Sequence, residues 1–317
     1  MPTTYQMTPK RRVLAGILGG RVDRTPLGSV TSVADVEQMH LTGAFFPDVH
    51  LDGGKMARLA AGAHEILGYD AIPPYFSVQA EAAALGCTVD WGDVENMPVE
   101  RTHPWSEPEQ VQIPDDFLQR PSIKAVLDAI SILRHGYGHH AAIVGKVMGP
   151  WTLAYHTHGL QDFLAETLLE PNVVHRFLER LKEISVLFGR AQIEAGADVL
   201  CIADHATGDL VGPWTYRDFL RPVHKELTQR LGCPTVLHIC GDTLDRMDDI
   251  CEAGFDCFHF DSKVDARDAV RKIGGRMSLI GNVNNPEVLL HGTSRDASER
   301  ARYALEAGVQ VVGPECA

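Results

Sequence analysis

No stretch of the 317 residues approaches the roughly 18 to 20 consecutive apolar side chains needed to span a bilayer, so no membrane segment is expected. Positive charge is short: 29 Lys and Arg face 42 Asp and Glu, a formal charge of −13. That balance argues against a nucleic-acid partner, since phosphate backbones are held by an excess of basic side chains. No Gly-x-Gly-x-x-Gly follows a strand-like run, and there is no Walker A string, no 20–50-residue repeat and no low-complexity tract. The basic residues near the N-terminus precede an apolar run too brief for a signal peptide and without a small-residue cleavage pattern, which points to a cytoplasmic protein. Seven cysteines, an odd number in a chain of this size, are not a disulfide framework.

What is present suggests repeated βα units. With 44% hydrophobic and 22% charged residues the chain can bury a full core. Short apolar or β-branched runs fall at residues 26–31, 69–76, 141–148, 198–203, 234–239, 255–260, 277–281 and 309–312. Helical periodicity fills the gaps at 122–135, 171–195, 213–231, 243–253, 265–273 and 294–307. The stretch from about 87 to 120 is polar, proline-containing and irregular, and reads as an excursion between the second and third strands. Eight strands alternating with helices in about 300 residues favour an α/β protein, a closed (β/α)8 TIM barrel, over an open doubly wound sheet. In such a barrel the chemistry gathers where strands end, so polar residues just past each strand are site candidates.

The fifth strand runs into Leu237-His238-Ile239-Cys240-Gly241-Asp242. On extended backbone, residues two apart point the same way, so His238 and Cys240 face one side. Imidazole and thiolate are zinc-type ligands. The eighth strand is followed by Gly313-Pro314-Glu315-Cys316, which puts a second thiol on the same rim, and the sixth ends at Asp261, a candidate fourth, replaceable ligand. Cys201, Cys233, Cys251 and Cys257 lie in or beside apolar runs and read as packing, and Cys87 as loop or packing. After the third strand come Tyr155, His156 and His158; after the fourth, Asp204, His205 and Asp209. Tyr155, His158, Asp204 and His205 are the candidates for lining a substrate or corrinoid cleft. The competing reading is that the 204–209 run merely caps the next helix.

The string Pro234-Thr235-Val236-Leu237-His238-Ile239-Cys240-Gly241-Asp242 resembles the zinc motif of corrinoid-dependent methyltransferases in the uroporphyrinogen decarboxylase superfamily, where His-x-Cys is followed much later by a cysteine near the C-terminus. Gly149-Pro150-Trp151-Thr152-Leu153-Ala154, Ala203-Asp204, Ile280-Gly281-Asn282-Val283 and Gly313-Pro314-Glu315-Cys316-Ala317 support it from about residue 140 onward. Earlier residues match mainly in the Asp23-Arg24-Thr25-Pro26 turn. The resemblance implies zinc held by His238, Cys240 and Cys316, and methyl transfer between a cobalt corrinoid (cobalamin), free or on a partner corrinoid protein, and a small thiol such as coenzyme M or a methylated small molecule. The ending around Cys316 and the Asn284-Asn285-Pro286 string most resemble chloromethane-using members. In that chemistry the metal makes a bound thiol a thiolate, and Asp242 or Glu315 would orient His238.

Two departures shape the expectation. Decarboxylating members hold substrate carboxylates with arginines in the first strand segment; Leu27-Gly28-Ser29-Val30-Thr31-Ser32-Val33 has none. Relatives continue into a closing helix beyond the position of Ala317, so residues 1–317 are expected to form one barrel domain, either cut from a longer chain with a closing helix or a fused corrinoid module, or closed in an unusual way. The alternatives are a metal-free decarboxylase-like lyase, a cobalamin-independent, methionine-synthase-like zinc methyltransferase, and a non-enzymatic corrinoid-binding or structural zinc protein.

Overall fold

The computed structural model describes residues 6–316. The runs rich in Val, Ile and Leu form strands because their side chains can be buried on both faces of a parallel sheet. In chain order the strands are β1 (Ala71–Ile72), β2 (Val89–Asp90), β3 (Val99–Glu100), β4 (Ala142–Met148), β5 (Val199–Ala203), β6 (Thr235–Ile239), β7 (Cys257–Phe260), β8 (Ser278–Val283) and β9 (Val311–Pro314). Seven of them pair in the order β1-β4-β5-β6-β7-β8-β9, every pairing parallel. β2 and β3 are a separate antiparallel pair inside the irregular excursion.

The remaining stave, first in chain order, is the Pro26–Thr31 run, too briefly paired to count as a strand. Leu27 bridges Val312 in parallel. Gly28 N–H donates to the Val312 carbonyl at 3.0 Å, Val312 N–H donates to the Pro26 carbonyl at 3.0 Å, and Asp70 N–H donates to the Leu27 carbonyl at 2.7 Å. The segment therefore joins β9 to β1, and the sheet closes into a (β/α)8 barrel. A Cβ added at Gly313 would stand 1.9 Å from the Gly28 carbonyl oxygen, so this seam requires glycine.

Period-two alternation then sorts every side chain. Ala142 and Val144 of β4, Val199 and Cys201 of β5, Val236, Cys257, Ile280 and Val311 face inward and pack with Val13 and Ile17 of the helix Pro9–Ile17, which covers one end of the barrel. The alternate residues, among them Ile143, Val147, Leu200, Ile202, Leu237, Phe258 and Phe260, pack outward against the helices. Cys201 and Cys257 are barrel filling, Cys87 is buried, and Cys233 and Cys251 are half-buried beside the core.

The helices Pro171–Ala195 and Ser294–Ala307 match their expected bounds, and Pro121–Tyr137 and Ala266–Ile273 differ by a residue or two. The 213–231 helix is broken: a π turn at Tyr216–Leu220 precedes Pro222, which has no N–H to give. The 243–253 stretch starts as a 3₁₀ turn, Leu244–Arg246, before the helix Met247–Glu252. Among the described residues no helix is long and apolar enough to cross a membrane.

A charge clasp fixes the seam from below. Arg12 is buried, with Nη1 donating to Asp70 Oδ1 at 2.7 Å and Nε to Asp23 Oδ1 at 2.7 Å. Asp70 also accepts from the Arg24 guanidinium at 2.9 Å and from Leu27 N–H at 2.9 Å. Arg12 holds the Asp23 carboxyl well below the usual carboxylate range. This explains the Asp23-Arg24-Thr25-Pro26 turn: its charged pair clamps the first stave to β1. Replacing Asp70 removes one partner of a buried pair, so Asp70→Ala is expected to cost about 3–5 kcal/mol of unfolding free energy. Denaturant titration of the purified variant reads this out, and a loss below about 1 kcal/mol would show that the clasp does not hold the seam.

Candidate metal centre

Each inward series, followed toward the C-terminal ends of the strands, leaves the apolar plug and enters a polar layer: Lys146 and Met148 on β4, Ala203 on β5, His238 on β6 and His259 on β7. The register sets Met148 beside Ala203, Ala203 beside His238, and His238 beside His259. Cys240 is the next inward residue after His238, just past β6. The chain then turns at Gly241, at φ +77°, where an added Cβ would lie 2.0 Å from Thr207 Oγ1.

The ends of β6 and β9 meet. His238 Nε2 stands 3.0 Å from Cys240 Sγ and 3.3 Å from Cys316 Sγ, and the two sulfurs are 3.0 Å apart. These three residues form a group of donor atoms lying within 4.8 Å of one another. His238 is buried and both cysteines are half-buried. Hydrogen bonding to Cys240 and the neighbouring His238 hold the Cys316 thiol well below its ordinary range, against the effect of burial. Cys240, the other member of the pair, is pushed up by that same contact and by burial. Two thiolates this close repel unless a cation stands between them. One nitrogen and two sulfurs are the donor set that suits Zn²⁺, and three protein donors leave a fourth position for a small molecule.

The carboxylates expected at the centre act elsewhere. Asp261 is not in the cluster: Oδ2 accepts from Gly241 N–H at 2.8 Å and Oδ1 from Lys263 N–H at 2.9 Å, so both oxygens hold turns. Asp242 is exposed and accepts from Leu244 N–H at 3.1 Å. Glu315 is buried but faces away from His238. Its Oε1 accepts from Asn285 N–H and its Oε2 from Ser262 N–H, both at 3.0 Å. It thereby ties the strand end that carries Cys316 to the loops after β7 and β8, and Asn285 Nδ2 adds a bond to the Cys316 carbonyl at 2.6 Å. His238 Nδ1 is buried with no hydrogen-bond partner, so neither acid orients this ring.

The ring is steadied by His259, which the sequence reading passed over. Its imidazole lies 4.6 Å from that of His238, and its Nε2 is 2.9 Å from the Pro314 carbonyl, two residues before Cys316. Burial lowers the His259 pKa to about 3, so the ring is neutral and Nε2–H is the donor. Its place opposite His238 on the next strand is the signal that could have found it.

A cavity of about 200 Å³ opens beside the three donors, bordered by Phe76, Met148, Thr152, His205 and Lys146. His205 is exposed and lines it. Asp204 borders it but is committed to structure: its carboxylate accepts from Thr152 N–H at 2.6 Å and lies 2.9 Å from His224 Nε2, capping the helix Pro150–Thr157. A neighbouring cleft of about 540 Å³ is lined by Tyr155, His156 and His158. Tyr155 also bonds Trp151 Nε1 through its hydroxyl. His158 is held at both nitrogens, by the Trp105 carbonyl at 3.0 Å and Glu166 at 3.1 Å, and packs on Phe177. Asp204 and His158 are therefore scaffolding that borders cavities, as Tyr155 largely is. Trp151 is buried, whereas Trp214 is 41% exposed and not core.

The family profile described as uroporphyrinogen decarboxylase (URO-D) matches residues 8–317. The methylated-thiol–coenzyme M methyltransferase of Methanosarcina mazei is 35% identical over 313 residues, covering 98% of this chain and 84% of that protein. The methylcobamide:CoM methyltransferase MtaA of Methanosarcina barkeri is 33% identical, covering 98% and 93%. A solved methyltransferase from Methanosarcina mazei superposes with a TM-score of 0.95 at 34% identity, covering 98% of this chain and 93% of that one. The chain belongs to the uroporphyrinogen decarboxylase family, and within it stands with the methyltransferases.

Proposed function

We propose that this methyltransferase moves a methyl group between a cobalt corrinoid and a small thiol, with zinc held by His238, Cys240 and Cys316. The observation that carries the reading is the convergence at 3.0–3.3 Å of the His238 nitrogen and the Cys240 sulfur with the sulfur of Cys316, which lies 78 and 76 residues further along the chain. The full-length relatives named for methylcobamide and coenzyme M favour a corrinoid donor and a thiol acceptor.

Zinc bound there would hold the thiol as a thiolate, the nucleophilic form, at neutral pH. The chain's own residues do the rest. Two cysteinates and a neutral imidazole balance the divalent charge, so an added thiolate keeps negative charge and remains reactive. Phe76 and Met148 wall the cavity with apolar surface and limit water around the sulfur. The volume of about 200 Å³ suits a small acceptor, not a corrinoid, so the corrinoid must be presented from outside the mouth, on a partner protein or free.

The purified protein is expected to carry about one zinc per chain. Cys240→Ser and Cys316→Ser should each lose it, with methyl transfer from methylcobalamin to 2-mercaptoethanesulfonate falling to background. Metal analysis and a methylcobalamin absorbance assay read both; full activity in a metal-free double variant would sink the reading.

Glu315 gives a sharper test, because it touches no proposed ligand side chain. Glu315→Ala leaves Asn285 and Ser262 N–H groups without their partner and frees the segment that presents Cys316. Zinc affinity should weaken by about 10–100-fold with all three donors intact, as measured by competition with a chromophoric chelator. Unchanged affinity would show that the Glu315 clamp does not position the thiol.

A further inference from the structure

Lys146 is the buried charge that the site as described leaves unused. It lies on the inward face of β4, is 4% exposed, and borders the same cavity as His238, Cys240 and Cys316. Among the described residues it forms no ion pair. Its ammonium sits over the Tyr75 ring, 4.7 Å from the centroid. Glu81, the buried carboxylate on that side, is committed to the Tyr75 hydroxyl and to Met148 N–H, the latter at 2.9 Å. Burial lowers the Lys146 pKa, and the neighbouring sulfurs and Glu81 act the other way. Two imidazoles share the cavity's border, but His156 is paired with Glu100 at 3.0 Å and His205 faces solvent. Taking an ammonium out of water without a partner is costly, so a negative charge is expected to arrive beside it.

Charge counting says which charge. A divalent cation, two cysteinates and a neutral imidazole sum to zero. An acceptor thiol that binds as RS⁻, releasing its proton to solvent, brings the centre to −1 inside a partly apolar cavity. We propose that Lys146 is the counter-charge for the incoming acceptor thiolate, a positioning residue that keeps the loaded site neutral overall. This rests on the reading above that the centre holds a divalent metal and a thiol. At low effective dielectric a unit charge several ångströms away is felt strongly, so its loss should weaken thiol binding by about tenfold or more.

The test uses the zinc-loaded protein and two thiols of one carbon skeleton, anionic 2-mercaptoethanesulfonate and neutral 2-mercaptoethanol. Dissociation constants are measured by calorimetry in buffers of different ionisation enthalpy, which also counts the proton released. Lys146→Met should keep about one zinc per chain and bind both thiols about tenfold or more weakly, with proton release moved to higher pH. Lys146→Arg should restore binding. Should Lys146→Met fold poorly, Lys146→Gln carries the same expectation. Equal affinities in wild type and variant would overturn the proposal. So would a loss confined to the sulfonate thiol, which would make Lys146 a reader of the acceptor's tail. Wild-type protein that binds zinc but neither thiol would instead refute the functional reading, independently of any variant.

Discussion

Two sulfur atoms from the ends of β6 and β9 stand 3.0 Å apart only because the barrel closes. Closure depends on a seam of few hydrogen bonds, where Pro26–Gly28 lies between β9 and β1 and Gly313 lets the two backbones approach. Next to that junction, the end of β9 carries Cys316 and is held by the loops after β7 and β8 through Glu315 and Asn285. A distortion here would separate the thiols without touching either. The clasp of Arg12, Asp23, Arg24 and Asp70 therefore bears on the chemistry from the opposite end of the barrel, through the position of the first stave.

Alternation is what made much of this legible in the sequence. The strand runs were visible as apolar segments, and His238-x-Cys240 could be assigned to one face because extended backbone leaves no other choice. The carboxylates were misjudged for an equally physical reason. Asp261 and Glu315 sit where ligands would sit, but buried backbone N–H groups in tight turns need acceptors, and each acid supplies them. Which demand wins is decided by loop conformation, which residue order does not display. Lys146 and His259 were hidden by the opposite effect: inside AAIVGKVM and CFHF they look like strand interior until the register shows which neighbours they face.

The early chain was harder to read. The helix Gly53–Glu65 is built largely from Gly and Ala, whose small side chains blur the apolar stripe that marks an amphipathic helix. The excursion near 87–120 has no periodic signal because its order comes from tertiary contacts: the β2–β3 pair, the Glu100–His156 ion pair and the stacking of Trp91 against His50. Such contacts join residues distant in sequence and leave no local pattern. This segment brings Met97 to the cavity's border, so a part of the site belongs to the least legible stretch of the chain.

Along β4 the barrel changes solvent character within four inward-facing residues. Ala142 and Val144 belong to a dry plug, Lys146 carries a charge, and Met148 faces the cavity. A thiolate site needs both regimes at once. The plug prevents water from reaching the centre from beneath, which keeps the local dielectric low and the sulfur weakly solvated. The same low dielectric makes any unbalanced charge expensive. On the proposed reading, a neutral set of ligands with one fixed cation nearby satisfies the two requirements together: the resting site lacks one negative charge, and the added sulfur supplies it while retaining that charge for attack. On the proposed reading, the geometry of the three donors and the burial of Lys146 answer one constraint, the placing of a reactive anion inside a mostly apolar barrel.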